Sequence, residues 1–326
     1  MRSSAIPQTD LAPSAICLGS SNFGNGIAPA DAYQLLDAYV ACGGTFIDTA
    51  AVYANWLPGE KNSSEKTIGR WLAANGRRDS IVLATKGAHP ELATMHVPRM
   101  SPAEILDDLE TSLRNLQTGW IDIYWLHRDD TARPVAEIID TLHGQVAAGK
   151  IRYFACSNWR AERIAAAQAY AAGRGITGFV ANQMRWSLAQ IDPAATGDPT
   201  TVAMDDVTYA YHRRTELAAI PYSSQAGGYF QKMAQGRAGD VRPNQQKLFG
   251  CQENAARLAR VQQLAQETGY SVSQLVLAYL TNQPFPTIPI VGCRSVAQVE
   301  DSMRAGDVYL TSEQVDWLAR GDAQKQ

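Results

Sequence analysis

Residues 46–53 read F-I-D-T-A-A-V-Y, a strand-like run that ends in a carboxylate and is followed by a phenol. The aromatic and β-branched residues at its start follow the Gly43-Gly44 pair, which breaks the preceding helical pattern. The stretch predicts a short core strand that delivers Asp48 to its far end and Tyr53 to the loop beyond. A carboxylate in this position is often only a helix cap or a loop anchor, so its role depends on the residues that accompany it.

Two later apolar runs also end in an ionisable side chain. Lys86 follows the run at residues 81–85, and His127 follows the run at 121–126. A lysine or histidine at one strand end is normally a solvated loop residue. Barrel enzymes, however, collect their catalytic groups from successive strand ends on one face. The pattern therefore predicts that both side chains meet Asp48 at a common rim.

With these residues the sequence resembles the aldo-keto reductase superfamily. The resemblance runs over nearly the whole chain, from the L-G-S-S-N-F-G stretch at Leu18 to the V-G-C-R-S-V-A-Q-V-E-D-S stretch at Val291. It implies a carbonyl reductase with a nicotinamide cofactor. It also implies a catalytic tetrad at Asp48, Tyr53, Lys86 and His127.

Strand-like and helix-like segments alternate along the chain. Capping boxes at Ser101 to Glu104 and at Ser271 to Gln274 mark the starts of two helices. The predicted strands are at residues 15–19, 45–47, 81–85, 121–126, 151–156, 177–183, 218–222 and 287–291. The predicted helices are at residues 28–42, 64–74, 101–116, 134–148, 160–172, 204–217 and 295–303, with two more after residue 251.

Eight such strand-helix units predict an α/β fold in which a parallel sheet closes into a (β/α)8 TIM barrel, rather than an open doubly wound sheet. Residues 4–13 predict an N-terminal hairpin. A Gly- and Gln-rich insertion at 223–251 is one of the long loops expected at the C-terminal face. Hydrophobic residues make up 45% of the sequence and charged residues 19%. This composition is typical of a globular chain with a core, and because barrels of this kind commonly exceed the usual length of a single domain, we expect one domain over residues 1–326.

The composition excludes several classes of function. The formal net charge of -3 provides no clustered positive charge for nucleic acid. The absence of long apolar runs and of a signal-peptide pattern predicts a cytoplasmic protein without membrane spans. The odd number of scattered cysteines predicts neither disulfides nor a zinc knuckle. The pattern leaves open whether the protein is a monomer or a homo-oligomer.

Carbonyl reduction needs a proton donor at the developing alkoxide, and Tyr53 is the expected acid. A free phenol has a pKa of about 10, and a neighbouring Lys86 ammonium is expected to lower it. Asp48 would pair with Lys86, and His127 would hydrogen-bond the substrate oxygen and orient the carbonyl. Each residue taken alone is equally compatible with a structural ion pair or cap.

The resemblance also implies the cofactor contacts. Ser157, Asn158 and Gln183 would face the nicotinamide amide, although Asn158 is also a plausible helix cap. Tyr222 would stack on the ring. The expected contacts to the rest of the cofactor are Ser21, Ser223, Gln225, Gly227, Gly292, Arg294, Gln298 and Asp301. No G-x-G-x-x-G follows the first strand, which disfavours a Rossmann domain.

Arg294 at a helix start resembles the family's pocket for the adenosine phosphate and favours NADP(H) over NAD(H). Two departures weaken this preference. Gln298 stands where many members have another basic residue, and Asp301-Ser302 stands where they have Glu-Asn. The alternative for Arg294 is an ordinary surface arginine.

The loops after the strands supply the candidate substrate contacts, namely Phe23, Trp56, His89, Arg128 and Trp186, with Asn22, Asp129 and Arg185 nearby. Aromatic residues mixed with charged ones favour a small-molecule carbonyl substrate such as a sugar or a sugar-derived aldehyde or ketone. The alternative is a loop salt bridge between Arg128 and Asp129 and a pocket for assorted aromatic or aliphatic aldehydes.

Two competing functions remain to be weighed. The superfamily includes regulatory subunits that keep the barrel and bind cofactor without turnover, and fold alone does not exclude that role. The complete tetrad argues for catalysis. A metal-dependent hydrolase is disfavoured because the histidines are scattered rather than clustered with carboxylates, at His89, His96, His127, His143 and His212. No metal is therefore expected.

Overall fold

Eight parallel strands pair in sequence around the centre of the molecule, and the last strand pairs with the first. The computed structural model describes residues 1–321, so the end of the expected domain, 322–326, lies outside the described residues. The strands are β1 (Cys17–Gly19), β2 (Phe46–Asp48), β3 (Val82–Gly87), β4 (Ile121–Leu126), β5 (Ile151–Ser157), β6 (Ala181–Gln183), β7 (Ala218–Ala219) and β8 (Ile290–Val291).

The sheet closes between β7 and the chain that leads into β8. Ala219 and Thr287 form a parallel bridge, and the Ile288 amide donates to the Ala219 carbonyl over 2.9 Å. Closure leaves no free edge, as expected for a barrel. The predicted (β/α)8 barrel is confirmed.

Helices follow the strands and cover the barrel. They are α1 (Pro29–Ala41), α2 (Ser63–Asn75), α3 (Pro102–Leu116), α4 (Val135–Ala147), α5 (Ala161–Gly173), α6 (Asp206–Thr215), α7 (Tyr229–Ala234), α8 (Pro243–Phe249), α9 (Gln252–Thr268), α10 (Val272–Thr281), α11 (Val296–Arg304) and α12 (Ser312–Arg320). The capping boxes predicted for α3 and α10 are present. None of the helices described within residues 1–321 is long and apolar enough to cross a membrane.

Two features depart from the predicted order. The insertion at 223–251 contains α7 and α8 rather than only loop. The final helix α12 was missed, although Thr311 and Gln314 form a capping box at its start that marks it in the sequence.

The N-terminal hairpin closes the amino-terminal end of the barrel. The Ser4 amide donates to Pro13 and the Ile6 amide donates to Leu11, at 2.8 and 2.9 Å. Ile6 and Leu11 are buried in the same cluster as Phe46 of β2, inside the barrel. Apolar side chains of the hairpin therefore fill this end of the barrel interior.

Candidate active site

A cavity of about 1160 Å³ opens at the carboxyl ends of the strands. Its walls come from the ends of most strands, from the segment after β7 and from the start of α11. Among the residues predicted from the sequence, the cavity is lined by Ser21, Tyr53, Trp56, His89, His127, Arg128, Ser157, Asn158, Gln183, Tyr222, Ser223, Gln225, Gly227, Gly292, Arg294, Gln298 and Asp301.

Lys86 is buried behind Tyr53, which lines the cavity, and is the centre of the hydrogen bonding there. Its Nζ donates to Asp48 Oδ2 over 2.5 Å, to Tyr53 Oη over 2.9 Å and to the Thr49 carbonyl over 2.8 Å. An ammonium group has three hydrogens, so all of them are used. Lys86 and Asp48 are fully buried, and register places both at strand ends. The ammonium is therefore held in one position against the phenol.

Burial opposes the charges of this ion pair. It raises the pKa of the Asp48 carboxyl and lowers the pKa of the Lys86 ammonium, while their mutual attraction counteracts both shifts. Gln183 adds a second hydrogen bond to the carboxylate, from Nε2 to Oδ1 over 3.1 Å. Hydrogen bonds of this kind offset part of the cost of burying a charge.

Tyr53 remains protonated in this environment. Burial raises the pKa of the Tyr53 phenol well above its ordinary value, the Asp48 carboxylate adds to the rise, and Arg128 opposes it. The expected lowering of this pKa by a neighbouring cation is therefore wrong in its net direction, because burial and the Asp48 carboxylate outweigh the lowering, which comes from Arg128. Lys86 Nζ also lies 4.4 Å from the centre of the Tyr53 ring. Tyr53 is therefore present as the protonated phenol and not as the phenolate.

His127 lies on the other side of the phenol. Its ring centre is 5.9 Å from that of Tyr53 and 4.6 Å from that of His89. Burial lowers the pKa of His127 well below its ordinary value, and the neighbouring His89 lowers it further. Its Nδ1 is buried and has no hydrogen-bond partner among residues 1–321. A neutral imidazole fits a hydrogen-bonding role better than proton transfer.

Asn158 joins three walls of the cavity. Its Nδ2 donates to the His127 carbonyl and to Ser157 Oγ, while its Oδ1 accepts from Tyr222 Oη over 2.8 Å and from the Val202 amide over 3.0 Å. The side chain of Asn158 is thus engaged within the protein while the residue lines the cavity, and its expected contact with the cofactor stays a prediction. The cap alternative is wrong, since Arg160 is the N-cap residue of α5.

The segment after β7 forms a narrow wall of the cavity. Gly227 has a φ of +62°, a backbone conformation that is strained for any residue with a side chain, and a Cβ atom there would also displace Gln245 Nε2, 2.0 Å away. Gln245 Nε2 donates to the Gly227 carbonyl over 3.0 Å and fixes this turn. The cavity is also lined by three cations that the sequence analysis missed, Lys232, Arg237 and Arg242. These three cations are spaced five residues apart in a Gly- and Gln-rich segment, and that spacing was the feature of the sequence from which a positively charged wall could have been predicted.

The start of α11 forms another part of the cavity wall, separate from the residues of the predicted tetrad. Arg294 is exposed, and its backbone amide donates to Gln298 Oε1 over 2.8 Å. Asp301 accepts from Ser271 Oγ and from Gln274 Nε2, at 3.0 and 2.7 Å. The Gln298 and Asp301 side chains therefore shape the site through contacts within the protein, whereas the Arg294 guanidinium forms no ion pair within residues 1–321.

Two of the five predicted substrate contacts are wrong. Phe23 is only 1% exposed and belongs to the main hydrophobic core. Trp186 is buried in a second cluster, where its ring stacks on Phe285 at 5.9 Å. Trp186 lies in the extended segment after β6, where successive side chains point to opposite sides, and its neighbour Arg185 takes the cavity side.

The proposed salt bridge between Arg128 and Asp129 does not form. Arg128 donates from Nη2 to Asp198 Oδ2 over 3.0 Å and from Nε to Thr200 Oγ1 over 2.8 Å, and Asp129 pairs with Arg163. Arg128 thereby binds the segment between β6 and α6 to the cavity rim. Trp56 stands at the same rim and is 48% exposed. Within residues 1–321, no group of three or more His, Cys, Asp and Glu side chains is arranged to hold a metal ion.

Comparison with known proteins agrees with this arrangement. A family model described as the aldo/keto reductase family matches residues 15–320. The uncharacterized oxidoreductase YrpG of Bacillus subtilis is 31% identical over 94% of this chain and 92% of its own length. The norsolorinic acid reductase stcV of Emericella nidulans is 29% identical over 95% of this chain and 78% of its own length.

A third relative, the aryl-alcohol dehydrogenase (NADP(+)) of Phanerodontia chrysosporium, is 29% identical over 96% of this chain and 83% of its own length. The family match covers the strands that carry Asp48, Lys86 and His127, and it extends through the Arg294 segment. The chain belongs to the aldo/keto reductase family of oxidoreductases.

Proposed function

We propose that this protein reduces an aldehyde or ketone to the alcohol with NADPH, and that Tyr53 donates the proton. The observation that carries the proposal is the position of the buried Lys86 Nζ, which contacts Asp48, the Thr49 carbonyl and the hydroxyl of Tyr53, a residue that lines the large cavity. A phenol held by a fixed cation beside a neutral imidazole is a suitable arrangement for protonating a carbonyl oxygen.

The cavity fits a nicotinamide dinucleotide. Tyr222 lines the cavity with an aromatic ring, Gly227 has no side chain to keep a ligand from the backbone, and Lys232 and Arg242 supply positive charge in the segment after β7. Arg294 at the start of α11 favours an additional phosphate, and hence NADP(H). The relative named for NADP(+) supports the same preference. The cofactor would supply the hydride.

The residues of the chain would divide the remaining work. The Tyr53 hydroxyl protonates the oxygen as negative charge develops there, and Lys86 stabilises the resulting phenolate. Asp48 and Gln183 keep Lys86 in place. The neutral His127 ring donates a hydrogen bond to the same oxygen and fixes the orientation of the carbonyl.

The class of substrate is proposed from the residues at the cavity rim and from the named relatives. A sugar or sugar-derived carbonyl remains our prediction from the mixture of aromatic and charged residues. The relatives named as an aryl-alcohol dehydrogenase and a norsolorinic acid reductase favour aromatic carbonyl compounds as well. Trp56 and His89 at the cavity rim are suited to an aromatic ring. Both classes belong in the substrate panel.

Steady-state oxidation of NADPH with a panel of aryl aldehydes, aliphatic aldehydes and aldoses tests the proposal. We expect turnover with at least one class, unaffected by a chelator. Tight NADPH binding without turnover of any carbonyl would instead favour a non-catalytic regulatory relative. Absence of binding to either nicotinamide cofactor would contradict both functions.

A further inference from the structure

We propose that Arg185 makes the cavity selective for carbonyl compounds that carry an anionic group, a carboxylate or a phosphate. The proposal rests on the carbonyl reductase function above and names the class of substrate for that site. Arg185 follows β6 by two residues and lines the same cavity as Tyr53 and His127.

The backbone of Arg185 is fixed on both sides. It forms parallel bridges with Ala203 and with Tyr222. Its amide donates to the Val202 carbonyl, and its carbonyl accepts from the Met204 amide, each over 2.9 Å. Because the backbone is held so firmly, the side chain starts from a defined position, as a residue that recognises a ligand requires.

The guanidinium group of Arg185 has no carboxylate partner among residues 1–321, whereas that of Arg128 is paired with a carboxylate. Arg128 uses Nη2 on Asp198, Nε on Thr200 and Nη1 on the His127 carbonyl. The neighbour of Arg185 is instead the Tyr222 ring, whose centre lies 5.9 Å from its Cζ. The cation of Arg185 is therefore left without a balancing charge.

The other charges around the tetrad cancel. Asp48 neutralises Lys86, and Asp198 neutralises Arg128. His127 and His89 are neutral, since burial lowers the pKa of each, to about 4 for His89. The part of the cavity next to Tyr53 and His127 thus carries one positive charge in excess, that of Arg185. A partly desolvated guanidinium beside an aromatic ring favours a planar or tetrahedral anion that accepts two hydrogen bonds.

The phosphates of the cofactor have other candidate partners. Lys232 and Arg242 belong to the segment after β7, and Arg294 belongs to the start of α11. Arg185 instead follows β6. Its backbone pairs with Tyr222 on one side and, on the other, with Val202 and Ala203 of the segment that also contains Asp198. We therefore assign this guanidinium to the substrate rather than to the cofactor.

The test compares charged and neutral forms of one aldehyde. We would measure kcat/KM with NADPH for 4-carboxybenzaldehyde and its methyl ester, and for glyceraldehyde 3-phosphate and glyceraldehyde, in the wild type and in Arg185→Gln. We expect the wild type to prefer the anion. We expect Arg185→Gln to lower kcat/KM for the preferred anion by about ten- to a hundred-fold, with less than about a threefold change for the neutral form. The two pairs identify carboxylate or phosphate as the recognised group.

Two controls separate recognition from damage to the fold. Arg214→Gln removes the same charge from the exposed surface of α6, outside the cavity, and should leave the discrimination unchanged. Arg185→Lys keeps the positive charge but lacks the planar guanidinium that forms two parallel hydrogen bonds, so this variant should retain part of the discrimination between charged and neutral aldehydes. The Kd for NADPH should be the same in all these variants. Equal losses for charged and neutral aldehydes, or a wild type without preference for either anion, would overturn the proposal.

A binding measurement keeps the inference testable without turnover. Calorimetric titration of the protein with NADP⁺ and 4-(hydroxymethyl)benzoate should show a Kd about ten- to a hundred-fold weaker in Arg185→Gln. If no aldehyde is reduced, the proposed function fails while this titration still decides the role of Arg185. Equal binding by wild type and Arg185→Gln would overturn the assignment even in an active enzyme.

Discussion

Lys86 donates a hydrogen bond of 2.9 Å from Nζ to the phenol oxygen of Tyr53. Burial raises the pKa of this phenol, so Tyr53 keeps the proton that we propose it donates. The ammonium is already in place for the phenolate that the transfer would leave behind. We therefore expect Tyr53 to contribute the proton and Lys86 the stabilising charge, and substituting each residue separately distinguishes the two contributions.

Tyr53→Phe should abolish proton donation while leaving the ring in place. We expect single-turnover hydride transfer at saturating NADPH to fall by about a hundred- to ten-thousand-fold, the usual contribution of general acid catalysis. The Kd for NADPH, measured by fluorescence titration, should not change. Transfer at a rate near that of the wild type would show that another group is the acid, with His127→Gln the next variant to test.

Lys86→Met should cost stability as well as activity. It leaves the Asp48 carboxylate fully buried without a cation, which costs about 3–5 kcal/mol in the free energy of unfolding. The double variant Asp48→Asn with Lys86→Met removes both charges and should regain most of that stability, yet remain inactive. Urea unfolding monitored by tryptophan fluorescence checks both. A double variant no more stable than Lys86→Met would show that the loss comes from packing rather than charge.

Arg294→Ala should weaken NADPH much more than NADH. A charge-assisted contact to an exposed phosphate is worth up to about 3 kcal/mol, so the Kd for NADPH should rise by roughly ten- to a hundred-fold. The matched control is Arg304→Ala, at the exposed end of the same helix. Equal weakening of both cofactors in Arg294→Ala would remove this residue from the phosphate site.

His89 should make stability depend on pH in mildly acidic solution. Burial lowers its pKa from 6.5 to about 4, and Arg128 contributes in the same direction. Between these values the unfolded chain binds a proton that the folded protein does not, so stability is lost as pH falls from about 6.5 to 4. The full effect is on the order of 3 kcal/mol.

Urea unfolding at pH 7 and pH 4.5 in wild type and His89→Gln checks this dependence. The variant should lose less stability over the interval than the wild type, whatever its absolute stability at pH 7. Identical losses in the two proteins would show that His89 is protonated in the folded state or does not titrate in this range.

The sequence was sufficient for those parts of the structure that depend on local periodicity. Alternating segments predicted the barrel, and the ends of three strands predicted that Asp48, Lys86 and His127 meet. The α12 helix was missed because its apolar pattern is short, although its capping box was readable. Helices α7 and α8 were missed because glycine and glutamine weaken helical periodicity in that segment.

Errors at the site arose where tertiary contacts decide the outcome. Whether an aromatic residue in a rim loop faces the cavity or the core depends on backbone direction, which is why Phe23 and Trp186 were misassigned. The partner of Arg128 is Asp198, 70 residues away, and spacing cannot predict such a pairing. The hydrogen bonds that Asn158 Oδ1 accepts from Val202 and Tyr222 likewise depend on residues far along the chain, so the sequence does not predict them.

The hydrogen bond between Gln183 and Asp48 joins residues 135 positions apart and crosses the barrel interior. A contact of that sequence separation forms only after the intervening strands have assembled, since closing such a long loop has an entropic cost that early structure does not repay. Lys86 is anchored by the same carboxylate. During refolding, catalytic competence should therefore return with the completed barrel and not with its first half, so that activity reports the last stage of folding rather than the appearance of secondary structure.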